Sequence, residues 1–189
     1  VIKIAAPTAW SEIALINISD GTTDMDFAAI TETIDIDQGD KDVESVANVK
    51  GGRHLKKIPE GDTEITFEGY PIGIGDRDNE DAVGVQTFFH GGTDSSAPFT
   101  VSSSTTRDVY TVTIMWTDGT ATSATSSVLS GNYALRANFA NFYMTSAKPS
   151  FTDGIYKCTF KFKGPCRNRT GTSNITWEST DGTASMPTI

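Results

Sequence analysis

A chain of 189 residues and 20.3 kDa has room for one domain with a real core, expected over residues 1–189, and not for two full domains. Its formal charge of -9 and pI near 4.6 exclude a surface built to hold nucleic-acid phosphates or anionic lipid. Hydrophobic residues at 37% and aromatics at 10% exclude a disordered tail, while abundant Ser and Thr beside scarce Leu favour strands and polar turns over packed helices.

Residues 11–19 (SEIALINIS) read as an early strand. In 31–37 (TETIDID), Ile34 and Ile36 share one face with Glu32, and Thr31, Thr33, Asp35 and Asp37 form the other, the alternation of a half-buried strand. The stretch 38–62 reads as a long inter-strand loop, too long for a hairpin, and its segment KGGRHLKK concentrates Lys50, Arg53, His54, Lys56 and Lys57 in an otherwise acidic chain. That cluster is either a solvated face or a surface that docks on an acidic neighbour. In 63–69 (TEITFEG), Ile65 and Phe67 face one way and Glu64, Thr66 and Glu68 the other, giving a second strand with an acidic outer face.

One short helix is expected over about 79–90. Asp78 caps it, Glu80 and Asp81 occupy its first turn, Gly91-Gly92 stops it, and Ala82, Val85 and Phe89 form a stripe with Phe88 beside it. Residues 108–117 place Tyr110, Val112, Ile114 and Trp116 on one strand face. Further strands follow over 133–146, 155–163 and 174–178, the C-terminal strands filling 133–178. Asp-Gly turns at 20–21, 118–119, 153–154 and 181–182 separate short strands, so the fold class is mainly β, a sandwich or barrel with one short helix.

Catalytic machinery is hard to find. His54 and His90, the only histidines, lack a metal partner at helical spacing, and there is no Gly-x-Ser-x-Gly elbow, phosphate-cradling glycine loop or Cys-x-x-Cys. Asp76, Asp78 and Glu80 imitate the start of a calcium loop, but Asp81 stands where the turn needs Gly and Thr87 where the bidentate Glu belongs. No enzyme activity, cofactor or metal is expected. Paired carboxylates acting on a sugar are indistinguishable here from solvated strand faces. In YKCTFKFKG, Tyr156, Cys158, Phe160 and Phe162 share a face, so Cys158 reads as a buried, inert thiol; a bridge to Cys166 around Gly164-Pro165 is the alternative. Sequons at Asn17, Asn168 and Asn174 are expected by chance at this Ser and Thr content. No run approaches the roughly eighteen apolar residues of a membrane span. VIKIAAPTAW lacks the basic and apolar regions of a signal peptide, so a soluble chain, unprocessed apart from a missing initiator Met, is expected without membrane insertion.

The order of elements then becomes informative: an acidic-faced strand, a long connection, a strand ending Glu-Gly-Tyr, a short helix closed by Phe-Phe-x-Gly-Gly, and strand pairs near the C-terminus. With the stretches ITETIDIDQGDKDVESVANVKGGRHLKKIPEGDTEITFEGYP and MTSAKPSFTDGIYKCTFKFKGP, the chain resembles the tail tube proteins (major tail proteins) of tailed bacteriophages and archaeal tailed viruses over 26–177. The resemblance implies a structural subunit of the virion tail, made in the host cytoplasm. It would form hexameric rings stacked into a hollow conduit, meet tape measure, terminator and baseplate or tip proteins, and pass viral DNA without binding it specifically. Within it, Thr31, Thr33, Asp35, Asp37, Glu64, Thr66 and Glu68 become the lumen-lining candidates of an acid-lined wall. Lys50, Arg53, His54, Lys56 and Lys57 become inter-subunit loop candidates, and the face bearing Lys157, Lys161 and Lys163 should point outward or pair with acidic neighbours. The competing classes are a Thr-rich secreted or surface appendage subunit, and a carbohydrate-binding β-sandwich with Trp10, Trp116 and Trp177 exposed for stacking.

Overall fold

The computed structural model describes residues 12–71, 85–86, 88–89, 107–152 and 155–189. The chain is mainly β, with ten strands among these residues: β1 (Ile13–Ser19), β2 (Asp24–Ile30), β3 (Asp35–Asp37), β4 (Val43–Ala47), β5 (Arg53–Lys57), β6 (Asp62–Pro71), β7 (Val109–Thr117), β8 (Tyr133–Thr152), β9 (Ile155–Pro165) and β10 (Ile175–Asp181).

Six of them close a barrel. Every neighbour pair in the cycle β1, β2, β6, β9, β8, β7 and back to β1 is antiparallel. The seam between β2 and β6 is the shortest, three residue pairs from Phe27↔Pro71 to Ala29↔Gly69. β3 continues along β6 beyond that seam, and β10 lies against the first half of β8. Long strands thus satisfy one another within a single chain, and closure removes most of the open edges that the strand count suggests.

Local chemistry explains the strand ends. At the β1–β2 turn the Asp20 carboxylate accepts the N–H groups of Thr22 and Thr23, both at 2.8 Å, while Gly21 takes φ +89°. The strand expected from Thr31 begins only at Asp35. Thr31–Thr33 form a 3-10 turn, in which the Thr33 hydroxyl donates to the Ile30 carbonyl at 2.8 Å and the Ile34 N–H to the Thr31 carbonyl at 3.1 Å. These local bonds outcompete the ladder. β2 escaped the sequence reading, although Met25, Phe27 and Ala29 alternate inward along it.

The core is aromatic. Phe160 meets Phe27 at 5.1 Å, Phe67 at 5.4 Å and Phe89 at 4.8 Å between ring centroids, with Tyr110 and Phe162 completing the cluster. The inward sets expected from alternation are buried: Ile65 and Phe67 on β6, Tyr110, Val112, Ile114 and Trp116 on β7, Cys158, Phe160 and Phe162 on β9. Val85, Gln86, Phe88 and Phe89 are helical and Val85 and Phe89 enter this core, as the stripe requires. The helix ends, with Asp78, Glu80, Asp81, Ala82, His90, Gly91 and Gly92, lie outside the described residues, as do Asp76, Thr87, Trp10 and the 153–154 turn.

β7 is covered on both faces. Its second face carries Met115 into a smaller cluster with Ala124, Val128, Ala134 and Met186. Beside it Arg136 is fully buried, donating to the carbonyls of Ser126 (3.1 Å) and Pro187 (2.7 Å) and to Glu178 (3.0 Å). One guanidinium thereby ties a loop, β8, β10 and the C-terminal segment together.

Where β9 runs beside β8, just past the Tyr143↔Lys163 pair, the strands leave no space for a side chain. A Cβ built on Gly164 would stand 2.7 Å from the ring of Phe142, which is itself fully buried. Gly164→Ala is expected to keep the β content by circular dichroism and to lower unfolding free energy by about 1–3 kcal/mol in a denaturant titration, because the ring has no room to retreat.

Candidate functional surfaces

Strands β3, β6, β9 and the second half of β8 form one continuous antiparallel face. Registers place Asp37 opposite Glu64, and Glu64 opposite Lys163, which faces Tyr143; the next row runs Asp35, Thr66, Lys161, Ser146. Glu68, Thr159 and Lys148 make a third. Five of the lumen candidates, Asp35, Asp37, Glu64, Thr66 and Glu68, therefore stand side by side on the face turned away from the core. Thr31 and Thr33 do not join the strand row, since they sit in the 3-10 turn, where Thr33 Oγ1 also accepts the Glu68 N–H at 3.4 Å.

The face is charge-balanced rather than acidic. Lys148, Lys157, Lys161 and Lys163 occupy it together with the carboxylates. Lys163 pairs with Glu64 at 2.7 Å and Lys157 with Glu68 at 2.9 Å, so two of the three β9 lysines pair with acidic neighbours. The hydrogen bond and charge of Lys163 hold the Glu64 carboxyl below the usual range, and Glu64 in turn raises Lys163; Lys157 is raised by its hydrogen bond to Glu68. The sign follows. The Glu64 side of the pair stabilises the fold above the ordinary carboxylate pKa and fades as pH falls, while the Lys163 side is lost as pH rises through its elevated value.

The connection between β3 and β6 contains a hairpin, where length alone had argued against one. β4 and β5 pair from Val43↔Lys57 to Ala47↔Arg53. Its tip is a local design: Asn48 Oδ1 accepts the N–H groups of Lys50 (3.0 Å) and Gly52 (2.9 Å), its backbone N–H donates to the Gly52 carbonyl at 2.8 Å, and Gly51 takes φ +78°. Arg53, His54, Lys56 and Lys57 all lie on β5, and Lys50 lies in the turn. Arg53 and Lys57 share a face with Leu55 and Val43, Lys56 and His54 the other with Glu44 and Val46. Arg53 donates to the Ser45 hydroxyl at 2.8 Å, and the Asn48 amide meets the His54 ring at 3.3 Å. Every residue of both strands is exposed, with Leu55 at 74% and Val49 at the tip fully so. The sequence signal was available in Asn48 and Gly51-Gly52.

Other candidates fall into place. Cys158 is buried and its thiol is pushed up to about 11 by desolvation, which suppresses the reactive thiolate. Both cysteines are free; eight residues of extended chain, about 26 Å, keep Cys158 from Cys166. Cys166 instead bonds Thr63 Oγ1 at 3.1 Å and the Gly61 carbonyl at 3.2 Å. The sequon residues Asn17 and Asn174 are buried, at 2% and 4% exposure, bonded to Asp26 and the Pro165 carbonyl, which leaves no space for a glycan in the folded chain. Trp116 is buried in the barrel; Trp177 is half exposed and packs edge-on against Phe139. No helix among the described residues is long and apolar enough to cross a membrane.

No family model and no curated protein matches the sequence. Among solved structures, the chain is similar to a component of an extracellular contractile injection system, the sheath–tube complex in its extended state, at 13% identity and TM-score 0.48 over 95% of each chain. It is also similar to the tube-terminating cap of the anti-feeding prophage, at 11% and 0.44 over 95% of each chain, and to an Hcp protein, at 12% and 0.40 over 93% of this chain and 97% of that one.

The ordering of influences on Glu64 can be measured. Lys163→Met is expected to return the Glu64 carboxyl toward its ordinary range in an NMR titration, and Lys161→Met to move it less. An equal shift from both would mean that diffuse charge, not the direct bond, sets the value.

Proposed function

We propose that this chain is the structural subunit of a viral tail tube, six copies forming a ring and rings stacking into a conduit through which the genome passes. The observation that carries the reading is the four-stranded face of β3, β6, β9 and β8. Among the described residues, β3 and the 144–152 part of β8 bound that face with no further strand beyond them. The resemblance of 26–177 to tail tube proteins supplies the copy number. Six copies of four strands give about 24 strands, and at about 4.8 Å between strands the backbone circle is about 37 Å across before tilt widens it. That leaves a duplex clearance from the wall.

The wall suits passage rather than binding. A ring carries a formal charge of about -54, six times -9, and the lumen lysines at Glu64 and Glu68 are engaged by carboxylates in the same subunit. A sliding phosphate backbone meets no continuous cationic ladder, and what repulsion it feels is screened within about 8 Å at physiological salt.

The β4–β5 hairpin joins one ring to the next. A two-stranded hairpin exposed on both faces is marginal in water, and Val43, Val46, Val49, Leu55 and Ile58 present apolar surface along it. Burial against a neighbouring copy orders it, with Arg53, Lys56 and Lys57 meeting carboxylates there. Tape measure, terminator and baseplate or tip proteins are the other partners of such a tube, and the assembled virion tail is its location.

Negative-stain images and sedimentation of the purified chain should find rings or tubes; a strictly monomeric species at high concentration overturns the reading. Val49→Asp with Leu55→Asp should leave thermal unfolding of the subunit within about 0.5 kcal/mol, since both side chains are exposed. The same pair should stop rings from stacking, and tubes of normal length from it would remove the hairpin from the stacking contact.

A further inference from the structure

The charges on the four-stranded face divide by position. Glu64 with Lys163 and Glu68 with Lys157 are satisfied inside the subunit, in its middle strands. Apart from Asp62 at the start of β6, the charges with no ion-pair partner among the described residues lie toward opposite edges: Asp35 and Asp37 on β3, Lys148 on β8 and Lys161 one strand in, opposite the small Ser146. All four are exposed. One edge is therefore acidic and the other basic.

Strand direction adds a second constraint. The face alternates antiparallel over four strands, an even number, so a second copy in the same orientation lays its β3 antiparallel to the first copy's β8. The alternation continues without interruption. Two self-pairings compete for the same edges. β3 on β3 brings Asp35 and Asp37 of two copies together, and β8 on β8 gathers the unpaired lysines of both; like charges across a strand pair are destabilising. Either self-pairing ends in a two-fold dimer, whereas head-to-tail pairing repeats and can close.

We infer that the acidic β3 edge of one copy pairs with the basic β8 edge of the next, and that this charge polarity selects head-to-tail closure over two-fold edge dimers. The inference rests on the tube reading and adds which edges meet and what excludes the alternatives. β3 needs only three positions on its neighbour. That suits an edge which Pro149 interrupts, since proline supplies no N–H to a ladder. Repulsion at the wrong edges does as much of the selection as attraction at the right one.

The test uses two charge-reversed full-length chains, Asp35→Lys with Asp37→Lys, and Lys148→Glu with Lys161→Glu, followed by native mass measurement and imaging. Thermal unfolding confirms that each subunit remains folded. Each variant alone should lose at least tenfold in the fraction assembled, since all its free edge charges now have one sign. Combining the four substitutions in one chain should restore rings. Mixing the two variants in equal amounts should also restore them, with strict alternation around an even-membered ring. Normal rings from either variant alone, or failure of the folded fourfold chain to assemble while wild type does, overturns the edge assignment and leaves the tube reading standing. If wild type forms no rings at all, the tube reading falls, and this inference with it.

Discussion

Everything in this molecule depends on β9 having a partner on each side. It pairs with β6 from Asp62↔Pro165 to Gly69↔Cys158 and with β8 from Tyr143↔Lys163 to Thr152↔Ile155, and so converts an open row of strands into a closed barrel. Closure concentrates Phe27, Phe67, Phe89, Phe160 and Phe162 in one interior, where packing as dense as an organic crystal makes each ring depend on its neighbours. Gly164 shows the tolerance: beside the buried Phe142 ring, β9 has no room for even a Cβ.

The second face of the barrel wall is used differently. β7 is buried on both sides, and the segment after it folds back over Met115 to form the smaller apolar cluster. Arg136 makes that cover rigid at an energetic cost. A fully buried guanidinium must be desolvated, and its Nε finds no partner among the described residues, so Glu178 and two carbonyls compensate for only part of its hydration. The arrangement anchors the C-terminal segment to β8.

What remains outside the core is a surface sorted by whether its groups are satisfied within the chain. Ion pairs neutralise the middle of the four-stranded face, its edges keep unmatched charges of opposite sign, and the β4–β5 hairpin keeps apolar residues that nothing in the described chain covers. In the tube reading, the same groups that are unspent in one copy are those used between copies.

Period-two alternation by itself determined the inward residues of β6, β7 and β9 and the mainly β class, because successive side chains on a strand must point to opposite faces whatever lies beside it. The helical stripe of Val85 and Phe89 was equally local. Tertiary structure alone decided which strands are neighbours, and with that the character of the candidate site. Glu64 reads as part of an acidic strand face until Lys163, 99 residues later, is placed against it at 2.7 Å. The hairpin in 38–62 and the 3-10 turn at Thr31 depended on a few hydrogen bonds from Asn48 and Thr33, which a pattern of apolar spacing does not register. The burial of Arg136 was invisible for the same reason: its partners, Ser126, Glu178 and Pro187, are scattered over 61 residues of sequence, and only the pairing of β10 with β8 and the Val128↔Met186 bridge bring their oxygens to one point.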